Sequence, residues 1–179
     1  PILGKALQEL DKAMQGTLDG TKISAIKETI RGFAIAAAIA SAVAGLAPGI
    51  AGVVAILTQT GFVWATYVKI NNTLGISMTK NTAKFLGSAI VTNIILNAGA
   101  FIGTLIASGL LAFIPGLGSA ASAALSAAMG YVLIYAAAII YLKLITHFIH
   151  PDGTLNISED DSTKETIKDI VSQANIRDI

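Results

Sequence analysis

Hydrophobic and polar positions divide this chain into two kinds of segment. Near the N-terminus, apolar residues recur at helical spacing among charges. Ile2, Leu3, Leu7, Leu10 and Met14 fall on one face, which predicts an amphipathic helix over residues 2–15, ended by Gly16. Thr17-Leu18-Asp19-Gly20 reads as a turn, with Thr21 or Ser24 as the expected cap of the next helix. That helix starts amphipathic, with Lys22, Lys27, Glu28 and Arg31, and then turns apolar on all sides. From there the charge vanishes. Residues 32–68 carry none, and residues 85–142, fifty-eight in a row, carry none either.

Each uncharged run is broken by a Pro-Gly pair, Pro48-Gly49 and Pro115-Gly116. Proline disfavours helix at the residue before it, and glycine accepts backbone angles that other residues avoid. The two pairs stand 67 positions apart (115 minus 48). At that offset Gly32 matches Gly99, Ile35 matches Ile102, Ile39 matches Ile106, Ala40 matches Ala107 and Ser41 matches Ser108. The expected fold is therefore all-α. It has two pseudo-repeated apolar helical hairpins with Pro-Gly turns, flanked by amphipathic terminal helices.

The repeat units are expected over residues 22–76 and 80–149, within one domain of residues 1–179. Residues 50–70 form the first return helix, and Asn71-Asn72-Thr73-Leu74-Gly75 a loop or helix end. A long helix runs over 80–113, bent near Asn97-Ala98-Gly99, and its partner over 119–148. His150-Pro151-Asp152-Gly153 is a strong break. Ser162-Thr163-Lys164-Glu165 reads as a capping box that opens a last amphipathic helix over 162–174. No run alternates with period two.

Composition sharpens the environment. The chain of 179 residues is 54% hydrophobic and 13% charged, against about 45–50% and about 25% in ordinary soluble domains. Two settings accommodate such runs. About 20 apolar residues span a bilayer core, and residues 85–114 and 117–142 are long enough. Residues 32–47 are short for a span and suit a re-entrant, interfacial or buried hairpin. All twelve Lys and Arg lie outside the runs, which leaves both Pro-Gly tips bare. If the hairpins enter a membrane, the positive-inside rule puts both termini in the cytoplasm, as for a bacterial inner-membrane protein. Trp64, Tyr67 and Tyr141 stand near Lys residues and fit an interfacial belt or a core. The other setting is a soluble bundle, cytoplasmic or secreted, with these helices at its centre. A polar stripe of Asn93, Asn97, Thr104 and Ser108 suits contact with a neighbouring helix or water better than lipid.

Small residues Ser119, Ser122, Ser126 and Gly130 share one face of the last long helix. That face suits close packing within the chain, or contact with another copy in an oligomer or pore.

The turns Pro48-Gly49 and Pro115-Gly116-Leu117-Gly118 carry a resemblance. Residues 111–128, LAFIPGLGSAASAALSAA, resemble the second helical hairpin of the bacterial YcjF-like domain of unknown function, and residues 44–75 its first. Where that family often shows a Met and a Tyr-Gly pair, this chain has Phe62, Tyr67 and Leu74-Gly75. The resemblance covers about residues 25–144. It implies a helical hairpin domain of the kind attached to Era-like GTPases, in some members at the inner membrane. It implies no catalytic residues.

Candidate chemistry is sparse. His147, His150 and Asp152 are too few for a metal shell, and a solvated surface is expected. Glu159, Asp160 and Asp161 suit a helix N-terminus. Residues 16–22 are too short between their glycines for a phosphate loop. Cysteine is absent, and net charge is +1, with no basic stripe for nucleic acid. Residues 1–16 carry charges throughout and do not read as a signal peptide. A start at Pro1 rather than Met fits a fragment or a processed form. No cofactor, no metal and no catalytic set is expected. Three functions follow as expectations. The first is a non-enzymatic, membrane-associated module that anchors or binds a partner, with a GTPase in another chain as one such partner. The second is a pore-forming or membrane-perturbing toxin. The third is a soluble bundle that takes a lipid or a partner helix, with self-association open in each case.

Overall fold

The computed structural model describes residues 2–45, 51–96 and 121–174. The chain is all-α, with no strand among the described residues. The helices are α1 (Ile2–Ala13), α2 (Gly20–Gly45), α3 (Ala51–Leu74), α4 (Lys80–Leu96), α5 (Ala121–Phe148) and α6 (Asp161–Gln173).

Helix ends follow from local chemistry. α1 ends where Gln15 and Gly16 turn left-handed and the Gly16 N–H reaches Asp11 O at 2.8 Å. The Asp11 carboxylate also accepts from Leu18 N at 2.9 Å, which ties the connection to α1. α2 is capped by Asp19, whose carboxylate accepts from Lys22 N at 2.8 Å, and not by Thr21 or Ser24. α3 runs on through Asn71 and stops at Gly75, φ +70°. The Ile76 N–H then bonds back to Asn71 O at 2.9 Å, five residues earlier, and Ile76 tucks into the core. This is a Schellman ending, which satisfies carbonyls that the helix leaves open.

The capping box expected at Ser162 is corrected. Asp160 is the N-cap, its side chain accepting from Thr163 N at 3.0 Å, and Ser162 lies inside the first turn of α6. A carboxylate is the stronger acceptor and gains from the helix dipole. Asp161 instead pairs with Lys164 at 2.8 Å, and that pairing holds its carboxyl below the usual range. Asp160→Ala is expected to destabilise by about 1 kcal/mol, read by thermal melting. A larger loss from Ser162→Ala would restore the serine as the cap.

α5 is the hub. α1, α2, α3, α4 and α6 all pack on it, α2 most extensively. Its residues 136–142, 144 and 145 are buried on every side, as befits a helix without a polar face. α2 packs on α3, but its principal contact is with α5. One hydrophobic cluster runs from Ala6, Leu7 and Leu10 on α1 to Ile167 and Val171 on α6.

Side-chain contacts fix the directions. Ala38 and Ala42, late in α2, pack on Ala127, early in α5, so these helices are antiparallel. Tyr67 meets Ala137, and Asn71, one turn on, meets Tyr141, so α3 and α5 run the same way. α4 returns beside α3. One end of the bundle, the base, thus holds the start of α2, the α3–α4 connection and the end of α5. The far end holds the close of α2 and α4 and the start of α3 and α5.

Candidate functional surfaces

The sequence singled out residues that the structure places unevenly. Pro48, Gly49, Pro115, Gly116, Gly118, Ser119, Asn97, Thr104 and Ser108 lie outside the described residues, as do Gly99, Ile102, Ile106 and Ala107 of the expected second repeat copy. Ser122 belongs to α5. Ser126 is half-buried and Gly130 buried. The small-residue contact that is visible lies beside them, at Ala127 between Ala38 and Ala42, and it is packing within the chain. Asn93 is half-buried, and its amide donates to Ala89 O at 2.9 Å, one turn back on its own helix.

The tyrosines form a core. Tyr67 and Tyr141 are fully buried and stack with centroids 3.9 Å apart at 13°. The Tyr67 hydroxyl donates to Ala137 O at 2.9 Å, and the Tyr141 hydroxyl donates to Asn71 Oδ1 at 2.7 Å. Asn71 Nδ2 rests 3.5 Å from the Met78 sulfur. Every polar atom of the pair is thus matched, as burial requires. The interfacial-belt reading of Tyr67 and Tyr141 is therefore replaced by a clasp that joins α3, α5 and the α3–α4 connection. Asn71 was masked in the sequence by Asn72, Thr73 and Gly75, which read as loop. Its spacing of four from Tyr67 was the available signal.

Trp64 sits differently. Its ring lies against Gly87 of α4, so closely that a Cβ there would stand 2.5 Å from Trp64 Cδ1. The Lys84 ammonium lies over the ring, 5.3 Å from its centroid. Nε1 of Trp64 is buried without a hydrogen-bond partner.

A cleft of about 490 Å³ opens beside the α3–α4 connection, lined by Asn72, Ser77, Thr79 and Lys80 among others. His147 and His150 are exposed, and the Asp152 carboxylate is engaged by the Thr154 hydroxyl and N–H at 2.6 and 2.9 Å. Those bonds hold its carboxyl below the usual range. No group of three His, Cys, Asp or Glu close enough for a metal occurs among the described residues.

Polarity along the bundle is lopsided. Within α2–α5 every Lys and Arg lies toward the base: Lys22, Lys27, Arg31, Lys69, Lys80, Lys84 and Lys143. Toward the far end, large apolar side chains face outward, with Val43 65% and Leu96 77% exposed. One helix among the described residues is long and apolar enough to cross a membrane. It is the segment Ser126–Phe148 of α5, 23 residues with mean hydropathy 1.9.

No family model, curated protein or solved structure matches the chain.

Proposed function

We propose that this chain is a membrane-associated helical module that docks by its uncharged end and works by anchoring or partner binding rather than by catalysis. The observation that carries this reading is the segregation of charge. Val43 and Leu96 are exposed at the end of the bundle that holds no Lys or Arg of α2–α5, while the cations collect at the base. Exposed apolar surface of this kind is favourable against lipid and unfavourable in water. Lys residues at the base suit the headgroup region on the side from which the chain arrives. The length and hydropathy of Ser126–Phe148 add support.

A second reading, a soluble bundle that binds a partner helix, draws on a different fact. Of that apolar window 72% is already buried by neighbouring helices, as in the core of a water-soluble protein.

Flotation separates the two. The chain, purified without detergent, is mixed with phosphatidylethanolamine–phosphatidylglycerol vesicles. It is expected to float and to resist alkaline carbonate. Val43→Lys with Leu96→Lys is expected to lower the bound fraction more than tenfold. Each lysine carried to bilayer depth costs up to about 2.5–3.5 kcal/mol, and about 1.4 kcal/mol is already tenfold. Both positions are exposed, so melting of the free protein stays unchanged. A monodisperse chain left at the bottom of the gradient overturns the membrane reading in favour of the soluble bundle.

A further inference from the structure

We propose that the outer face of α2 is the docking seam for a second copy of this chain, the two α2 helices lying parallel about a two-fold axis. This goes beyond the membrane reading; the two share Val43, so the test below reads Ile39, Gly32, Glu28 and Arg31, on which the membrane reading does not rest.

Ile35, Ile39 and Val43 follow one another at a spacing of four on α2 and are 43%, 62% and 65% exposed. Isolated apolar residues on a surface need no explanation, but a continuous line of them marks a contact. Beside the line run Gly32, Ala36 and Ala40, also at a spacing of four. Such small positions let a second helix backbone approach closely. Gly32 is informative because a Cβ built there meets nothing within 4 Å. Among the described residues no neighbour calls for a glycine in the middle of this helix, where glycine is otherwise unfavourable. Isoleucine and valine hold one side-chain rotamer in a helix, so little freedom is lost when they dock.

Charge names the occupant and its direction. One turn toward the base, Glu28 and Arg31 are exposed on the same helix. Among the described residues the ion pairs are Asp161–Lys164 and Glu165–Lys168; Glu28 and Arg31 form none there, although the charges of both act on Tyr135 of α5. In a parallel pair, Glu28 lies near Arg31 of the second copy and Arg31 near Glu28 of the second copy. A two-fold interface repeats each contact in this reciprocal way. An antiparallel pair would set these charges against the apolar end at Val43. Parallel pairing also keeps both uncharged ends on one side.

The chain has no cysteine, so crosslinking reports one engineered position at a time. Ile39→Cys is compared with Thr92→Cys, an exposed position on α4, after copper–phenanthroline oxidation in vesicles and in detergent-free solution. Ile39→Cys is expected to give several-fold more disulfide dimer than Thr92→Cys. Adding Gly32→Leu should abolish that excess without lowering the melting temperature, since leucine is the better helix former at a position with open space. In the Ile39→Cys background, Glu28→Arg and Arg31→Glu should each lower the dimer, and the two together should restore it. Equal crosslinking at the two positions, or a charge swap that fails to recover, overturns the seam, with lipid or another segment as its cover. Flotation is scored on the same samples. A chain that floats without the Ile39 excess loses the seam and keeps the membrane reading, and one that crosslinks without floating does the reverse.

Discussion

Tyr141→Ala is expected to remove about 3–5 kcal/mol of stability, much of the 5–15 kcal/mol that domains typically hold. The loss has three parts. A fully buried ring disappears and leaves a cavity on the hub helix. The face of Tyr67, 3.9 Å away, loses its stacking partner. Asn71 Oδ1 loses the hydroxyl that satisfies it, 2.7 Å away in the core. Tyr141→Phe separates these parts. It keeps the ring and orphans Asn71, so it should cost about 1–3 kcal/mol. Urea unfolding followed by circular dichroism checks both. A midpoint for Tyr141→Ala equal to that of the parent chain would mean that the clasp does not hold α3 to α5.

Gly87→Ala should act on a different joint, between α3 and α4. Alanine is normally the better helix former, by about 1 kcal/mol. Here the added methyl meets the edge of a half-buried indole at 2.5 Å, with Nε1 at 2.7 Å. Trp64 has to tilt or α4 has to lift, and overpacking of this kind costs about 1–3 kcal/mol. The expected result is net destabilisation together with a change in tryptophan emission. Because Trp64 is the one tryptophan in the chain, that change reads this joint alone. If Gly87→Ala melts higher and its emission is unchanged, the seat is looser than drawn.

Several elements were legible before any coordinates. Leu7, Leu10 and Met14 marked the buried face of α1, because period and charge alternate there. Helix ends that depend on one residue type were legible too, as at Gly16 and Gly75. Caps were harder. Asp160 and Ser162 both stand three residues before a suitable partner, and only the backbone shows that the earlier one takes the position. Partner choice was least legible, and the reason is physical. A helix apolar on all sides carries no phase, so nothing along α5 says which side faces α2, α3 or α4. Tyr67 and Tyr141, 74 positions apart, became a pair only through that hidden choice. The outward line of Ile35, Ile39 and Val43 was invisible for the same reason. Ala34, Ala37 and Ala38 beside them are equally apolar and buried.

The dominance of the α2–α5 contact has a consequence in time. Ala38 and its neighbour Ala127 are separated by 89 positions (127 minus 38). At about 5–20 residues per second, synthesis needs roughly 4–18 s to cross that interval. Throughout it, Ile26, Ile30 and Ala34, later among the most buried residues of the fold, have no α5 to rest on. The apolar face of α2 therefore stays uncovered until α5 has been made. Whatever meets the chain at the ribosome exit, whether a bilayer or a chaperone, can reach that face of α2 before α5 does.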